Sequence, residues 1–136
     1  MKRIYTCFPE GRFKALTLSY DDGKITDRRL IDVLNQNGLK GTFHLNSGYF
    51  GETKGHRVPY VTREEAADLY RGHEIASHTS THPTIARMPM EGNLQEILED
   101  RKTLEEISGY PVRGFSYPNG VHGEKLYQLL RSCGIA

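Results

Sequence analysis

The chain contains little cysteine and no tryptophan. It has 136 residues, of which only Cys7 and Cys133 are cysteines. Two cysteines far apart do not make the disulfide framework of a small secreted domain, and they lack the short paired spacing of a thiolate zinc site. Both are therefore predicted to be free thiols.

Neither sign of charge dominates, since 18 Lys and Arg residues stand against 17 Asp and Glu residues. Without a block of like charge, we expect neither nucleic acid nor an anionic membrane as partner. No apolar run is long enough to span a membrane. Pro9, Glu10 and Arg12 interrupt the apolar stretch that a signal peptide would need, which favours a cytoplasmic location.

Strand-like runs alternate with helix-like segments along the chain. Apolar or alternating runs predict strands at residues 15–20, 41–45, 73–77 and 112–117, with a fifth beginning at 134–136. Periods near 3.6 with capping and stop signals predict helices at residues 26–37, 62–72, 91–108 and 124–133. This alternation indicates an α/β protein with a parallel sheet, either open or curled into a barrel.

The segment 91–108 has the clearest helical pattern. Its apolar residues are predicted to form one buried stripe that consists of Leu94, Ile97, Leu98, Leu104 and Ile107. Acidic and basic side chains of the same segment occupy the other faces. The following Gly109 and Pro111 end the helix.

Polar residues follow three of the predicted strands. The first strand ends in Asp21 and Asp22, the third in His78 and His82, and the fourth in the stretch "FSYPNG". Because the carboxyl ends of parallel strands meet at one edge, these side chains are expected to lie together. Two adjacent carboxylates also need a compensating positive charge.

A divalent metal ion would supply that charge. Catalytic zinc takes three protein ligands and keeps one position open, and two histidines with one of the two aspartates give that number. Each motif alone is weak, since Asp-Asp-Gly is often only a turn and a spaced histidine pair arises by chance. Their joint placement at strand ends predicts a metal site.

Three stretches, "LTLSYDDG", "EIASHTSTHP" and "GFSYPNG", resemble in this order the first three motifs of the polysaccharide deacetylases, carbohydrate esterase family four. The resemblance covers nearly the whole chain from Leu16 onward. It implies a distorted (β/α) barrel, here incomplete with about four and a half βα units. We therefore expect one domain over residues 1–136, truncated at its C-terminal end.

The resemblance also implies the roles of the motif residues. Asp22, His78 and His82 become the metal ligands, and Asp21 becomes the general base that accepts a proton from the attacking water. The expected cofactor is one divalent ion, with zinc favoured and cobalt or nickel as alternatives. The implied reaction is the hydrolytic removal of N-acetyl or O-acetyl groups from an oligo- or polysaccharide.

In the third motif, the resemblance assigns a catalytic role to the backbone N–H of Asn119, which would stabilise the oxyanion. Tyr117 and Pro118 are expected to bind substrate, with the tyrosine ring as a surface for a sugar. The arginine that is common in this motif aligns with Ser116. The orientation of Asp21 is therefore expected either to come from another group or to be looser.

The later motifs of the family, a tryptophan region and a histidine that serves as general acid, would follow Ala136. Two other hypotheses therefore stay open: an inactive metal- or sugar-binding remnant, and a metal hydrolase acting on a small amide. An incomplete barrel also leaves a strand edge open, which favours self-association.

For each of three other histidines, a functional role is compared with a structural one. His73 precedes the third strand, at the end opposite the chemistry, and is predicted to be structural. His44 lies within the second strand, where a half-buried histidine is more often structural than a substitute acid. His122 follows the third motif and is ranked beside His44.

Overall fold

A computed structural model describes residues 5–53, 55 and 57–135. In chain order the elements are β1 (Ser19–Asp22), α1 (Asp27–Gln36), β2 (Thr42–Leu45), α2 (Arg63–Leu69), β3 (Glu74–Ser77), α3 (Met90–Ser108) and α4 (Glu124–Ser132). Strands and helices alternate, as the sequence pattern predicts. In the described ranges, no helix combines the length and apolar composition needed to cross a membrane.

The described strands form one parallel sheet in the order β1-β2-β3. In its register, Asp21 of β1 lies opposite His44 of β2, and Leu45 of β2 lies opposite Ser77 of β3. All three strands run in the same direction, so their carboxyl ends lie at one edge of the sheet. That edge carries the candidate site.

The first strand begins later than the predicted range 15–20. β1 starts at Ser19, and before it Leu16 is 80% exposed. The ladder with β2 begins where the Leu18 carbonyl accepts a hydrogen bond from the Thr42 N–H, at 2.8 Å. The alternating pattern predicted an extended segment, but a strand also needs a neighbour to pair with. The aspartates consequently end the strand itself instead of following it.

The predicted strand 112–117 pairs with β3 over a short stretch only. A parallel bridge joins Phe115 to Ser77, and the Ser116 N–H donates to the Ser77 carbonyl at 3.0 Å. A Cβ on Gly114 would lie 2.8 Å from the Cβ of Ala76, so glycine permits this close approach. The pairing brings Ser116 to the edge of the sheet that carries the site. Of the predicted fifth strand, Gly134 and Ile135 are not in a strand, and Ala136 lies outside the described residues.

The core lies between the sheet and the helices α1, α2 and α3. Its main cluster is centred on Phe43, which is fully buried and packs against the rings of Tyr20, Tyr70 and His73. A second cluster joins α3 to α4 through Ile97, Leu130 and Ile135. Cys133 packs against this second cluster, and both cysteines are free thiols as predicted.

The buried face of α3 differs from the predicted stripe. Leu94 is 38% exposed and Leu98 is 44% exposed. The residues buried on this helix are Asn93, Ile97, Asp100 and Leu104. The predicted Ile97 and Leu104 are buried, but the other two buried residues, Asn93 and Asp100, are polar and could not be identified by apolar periodicity. Asp100 is accommodated by hydrogen bonds from Ser47 and Ser77, which are distant in the sequence.

α1 begins with a buried acid, Asp27. The Tyr70 hydroxyl donates a hydrogen bond to Asp27 Oδ2 at 2.8 Å. Burial raises the pKa of Asp27 to about 6, although the hydrogen bond from Tyr70 acts in the opposite direction. The folded chain therefore holds a proton on Asp27 at pH values where the unfolded chain has lost it.

This difference predicts how stability depends on pH. Between the ordinary pKa of 3.8 and about 6, the folded state binds more protons than the unfolded state, so stability falls as pH rises. Asp27→Asn keeps an acceptor for Tyr70 but cannot ionise. Urea unfolding of metal-free protein should show the variant gaining roughly 3 kcal/mol relative to wild type from pH 3 to pH 7. Asp32→Asn, an exposed change on the same helix, is the control. A constant difference between D27N and wild type would contradict the expectation.

Candidate active site

The structure brings Asp22, His78 and His82 together at the carboxyl edge of the sheet. His82 Nε2 lies 3.7 Å from Asp22 Oδ1, and His78 Nε2 lies 3.9 Å from the same oxygen. One ligand atom from each residue lies within 4.8 Å of the others. The three residues that the sequence predicted as ligands thus form one cluster.

The cluster fits a small divalent ion. A tetrahedral ion with bonds of about 2.1 Å separates its ligand atoms by about 3.4 Å. The two distances to Asp22 Oδ1, 3.7 and 3.9 Å, exceed this separation by less than an ångström. Two imidazoles and one carboxylate are also the donor chemistry of catalytic zinc sites, which leave a fourth position open.

A hydrogen bond fixes the orientation of His78. Its Nδ1 lies 2.8 Å from the Ser116 carbonyl oxygen, which can only accept, so Nδ1 carries the proton. The lone pair of Nε2 is then directed toward Asp22. Burial lowers the pKa of His78, although the Ser116 carbonyl and the Asp21 carboxylate act in the opposite direction. The neutral imidazole, which is the form that binds metals, is therefore favoured.

Asp21 lies beside this cluster, with a neighbouring side chain in contact with each of its oxygens. The Ser116 hydroxyl donates to Asp21 Oδ2 at 3.2 Å, and His44 Nδ1 lies 2.9 Å from Asp21 Oδ1. Asp21 Oδ2 is also 4.0 Å from His78 Nε2. Ser116 thus contacts the aspartate from the position where an arginine was expected, and His44 contacts it from the neighbouring strand.

The loops of the site contain unusual backbone conformations. Among the described non-glycine residues, a positive φ occurs at Asp22 (81°), Thr79 (65°), His82 (53°) and Asn119 (59°), and elsewhere only at Glu10 (63°). Such conformations are disfavoured for residues with a Cβ, and they persist where the surrounding structure imposes them. Two of the three candidate ligands are therefore oriented by strained backbone.

A buried acid on α3, which the sequence analysis did not identify, anchors the ends of two strands. Asp100 is fully buried and accepts hydrogen bonds from the Ser47 N–H at 2.8 Å, the Ser77 hydroxyl at 2.6 Å and the His78 N–H at 3.3 Å. Burial raises its pKa to about 6, against these hydrogen bonds. The available signal was an acid at helical spacing from Ile97 and Leu104, within the predicted apolar stripe.

Two further polar side chains hold the loop between His78 and His82. Glu96 of α3 accepts from the N–H and the hydroxyl of Thr81, at 2.8 and 2.7 Å. The buried amide of Asn46 donates to the carbonyls of His78 and Thr79, at 2.6 and 2.9 Å. The loop is therefore fixed at both ends and in the middle.

The third motif contributes the turn Pro118–Gly120, in which Asn119 and Gly120 are exposed. The Asn119 side chain donates to Thr84 Oγ1 at 3.0 Å, and its backbone N–H has no acceptor among the described residues. Tyr117 packs against Phe115 with ring centroids 5.3 Å apart, and Pro118 is buried. Their roles in oxyanion and substrate binding stay predictions.

His73 lies at the opposite end of the sheet, as expected. Its Nδ1 accepts from the Gly41 N–H at 3.2 Å, and its Nε2 lies 3.1 Å from Asn35 Oδ1. Both ring nitrogens are thus engaged in joining α1, β2 and β3, which confirms the predicted structural role. His122 is exposed, and its Nδ1 lies 3.2 Å from the Gly120 carbonyl oxygen.

Comparison with known proteins agrees with this geometry. The family model described as "Polysaccharide deacetylase" matches residues 9–136. The chain therefore belongs to the polysaccharide deacetylase family.

Individual relatives are longer than this chain. A chitin deacetylase of Colletotrichum lindemuthianum is 28% identical over 104 residues, which are 76% of this chain and 41% of that protein. A chitin deacetylase of Pestalotiopsis sp is 33% identical over 93 residues, covering 68% of this chain and 30% of the relative. The chain thus spans less than half the length of these relatives.

A solved structure shows the same fold. The Streptococcus pyogenes deacetylase PplD, in complex with acetate, superposes with a TM-score of 0.76 at 18% identity. The match covers 85% of this chain and 51% of that one. The mixed α/β architecture described above is therefore shared with a deacetylase. The match is limited to about half of that protein.

The buried carboxylate of Asp100 generates a stability prediction. Asp100→Asn replaces one acceptor oxygen by an NH₂ group, so either the Ser47 or the His78 N–H loses its partner. The free energy of unfolding at pH 7.5 should fall by about 1–3 kcal/mol, and affinity for Zn²⁺ should fall with it. Urea titration and a competitive zinc chelator measure the two effects. Glu99→Gln, an exposed neighbour on α3, should change stability by less than about 0.5 kcal/mol. Equal behaviour of the two variants would contradict the anchoring role.

Gly48 gives a second prediction, since it packs against the histidine loop. A Cβ at this position would lie 2.7 Å from both the carbonyl oxygen and the Oγ of Ser80. Gly48→Ala should therefore displace the loop and weaken Zn²⁺ binding, measured by calorimetry, by about 10-fold or more. Gly123→Ala is the matched control, because a Cβ there has no neighbour within 4 Å. Unchanged zinc affinity in G48A would show that the loop adjusts without moving its histidines.

Proposed function

We propose that this chain is the metal-dependent catalytic part of a hydrolase that removes acetyl groups from a carbohydrate. The observation that carries this proposal is the cluster of Asp22, His78 and His82 with a second carboxylate, Asp21, beside it. A hydrolase of this kind needs three ligands and a separate proton acceptor, and one aspartate cannot easily serve as both.

Asp22, His78 and His82 would hold the ion, for which zinc is the first choice and cobalt or nickel are alternatives. When bound, such an ion lowers the pKa of a coordinated water and polarises the acyl oxygen. Two features of the chain favour binding of this ion: His78 is neutral, and its Nε2 lies on the side of Asp22. The fixed loop between the two histidines lowers the cost of ordering the ligands on binding.

Asp21 would act as the general base. Its carboxylate stands 4.0 Å from His78 Nε2, next to the ligand cluster and partly open to solvent. A water at the cluster could therefore give its proton to Asp21 while its oxygen attacks the acyl carbon. The hydrogen bond from Ser116 helps to keep Asp21 Oδ2 in this position.

The opposite side of the acyl group would face the third motif. The exposed Asn119 N–H, which lacks an acceptor among the described residues, is suited to stabilise the negative oxygen of the tetrahedral intermediate. Tyr117 and Pro118 would contribute the neighbouring surface to the sugar.

The substrate we propose is an N-acetylated oligosaccharide of the chitin type. Two of the relatives are chitin deacetylases, and a peptidoglycan-N-acetylmuramic acid deacetylase of Bacillus subtilis matches at 28% identity. An O-acetylated carbohydrate is the alternative within the same chemistry.

Four variants test the division of roles. His78→Ala and His82→Ala should abolish zinc retention, since each removes one of three ligands. Asp21→Asn should retain one zinc per chain but lower acetate release from chitin oligomers by about 10²–10⁴-fold. Asp32→Asn, an exposed change on α1, serves as the control. Metal content by elemental analysis and acetate by enzymatic assay give the two readouts.

Two results would change the assignment. Zinc loss in D21N equal to that in the histidine variants would make Asp21 a ligand instead of a base. Stoichiometric zinc binding by the wild-type chain without acetate release would favour an inactive metal-binding remnant.

A further inference from the structure

We infer that His44 of β2 is a positioning residue that holds the Asp21 carboxylate in its working orientation. The inference rests on the proposed function for the role of Asp21 as base. It concerns a contact that exists in the chain whether or not the reaction occurs.

The contact follows from the register of the sheet. Asp21 and His44 are paired residues on neighbouring parallel strands. Their side chains meet at the carboxyl edge, where His44 Nδ1 lies 2.9 Å from Asp21 Oδ1. The histidine is 8% exposed, so solvent reaches little of its ring.

His44 Nδ1 has no hydrogen-bond partner among the described residues, because the short contact with Asp21 is not aligned with the ring N–H. A buried polar nitrogen without a partner is rare in folded proteins. The Asp21 carboxylate oxygen at 2.9 Å is within hydrogen-bonding distance of it. A small rotation of either side chain lets Nδ1–H donate to Asp21 Oδ1.

His44 and Ser116 together fix the whole carboxylate. The histidine contacts Oδ1 from β2, while the Ser116 hydroxyl donates to Oδ2 from the segment beside β3. The terminal torsion of an aspartate is otherwise broad, so one contact alone leaves the group free to rotate. Two contacts, one on each oxygen, hold Oδ2 toward the His78 side of the cluster.

His73 shows what a purely structural histidine looks like in the same chain. Both of its ring nitrogens have partners, the Gly41 N–H and the Asn35 side chain. The Nδ1 of His44, in contrast, lies next to Asp21 of the candidate site, and the Asp21 carboxylate is the acceptor available to it. A positioning role explains this difference.

Two substitutions of His44 separate shape from hydrogen bonding. His44→Phe keeps a buried ring but removes the donor, whereas His44→Asn places its Nδ2 near the position of Nδ1. In the zinc-loaded chain, H44F should lower kcat for chitin oligomers by about 10–100-fold with KM and zinc content within about twofold of wild type. H44N should recover most of that loss. Unchanged kcat in H44F, or a loss explained by lost zinc or lost folding, would overturn the inference.

A second measurement does not depend on activity. In metal-free protein labelled with ¹⁵N, long-range spectra of the imidazole should show the proton of His44 on Nδ1. Asp21→Asn should shift the Nδ1 resonance of His44, whereas Asp22→Asn should shift those of His78 and His82 and leave His44 unchanged. If the wild-type chain releases no acetate but D21N still shifts His44, the proposed function fails and the contact stands. If the Nδ1 resonance of His44 does not shift in D21N, the contact between His44 and Asp21 is absent in solution and the inference is wrong.

Discussion

The parallel pairing of β1, β2 and β3 is the constraint on which the site depends. Parallel strands direct their carboxyl ends to one edge, so Asp22, Leu45 and Ser77 become neighbours although more than 20 residues separate each from the next. The ladder also explains how two adjacent carboxylates are accommodated. Asp22 and Asp21 both reach the neighbourhood of His78 Nε2, at 3.9 and 4.0 Å, where a divalent ion would supply the opposite charge.

The loops that carry the candidate ligands are held in place by hydrogen bonds from the helix α3. Asp22, Thr79 and His82 adopt a positive φ, and conformations of this kind cost of order 1–3 kcal/mol each. Polar contacts from α3 offset part of this cost: Asp100 accepts from the Ser77 hydroxyl and the His78 N–H at the start of the histidine loop, and Glu96 accepts from the Thr81 N–H near its end. The chain therefore uses polar groups of its longest helix to fix the geometry of the site. This is also why that helix does not show the regular apolar face that its sequence suggests.

The sequence predicts some features of the fold and the candidate site better than others. Helix positions were predicted well, because caps and apolar periods are local: the capping box of Thr62 and Glu65 is present, and α1 lies within the predicted range. The first strand was misplaced because pairing, unlike alternation, involves a distant partner. The stripe on α3 was wrong at Leu94 and Leu98 because a buried acid is favourable only when donors from elsewhere reach it. The convergence of Asp21, Asp22, His78 and His82 was predicted because their motifs follow strands whose parallel direction could be inferred, and the family resemblance named Asp22 and the two histidines as candidate ligands.

The sequence by itself determined which chemical groups are available: two aspartates, two spaced histidines and the segment "FSYPNG", in the order typical of a family. Only the tertiary structure decided which groups orient them. Ser116 binds both His78 and Asp21, and His44 contacts Asp21 across a strand pair. These relations depend on distances of a few ångströms between segments far apart in the chain. Local patterns carry no such information, because a side chain's hydrogen-bond partners are fixed only when the strands pair and water is excluded.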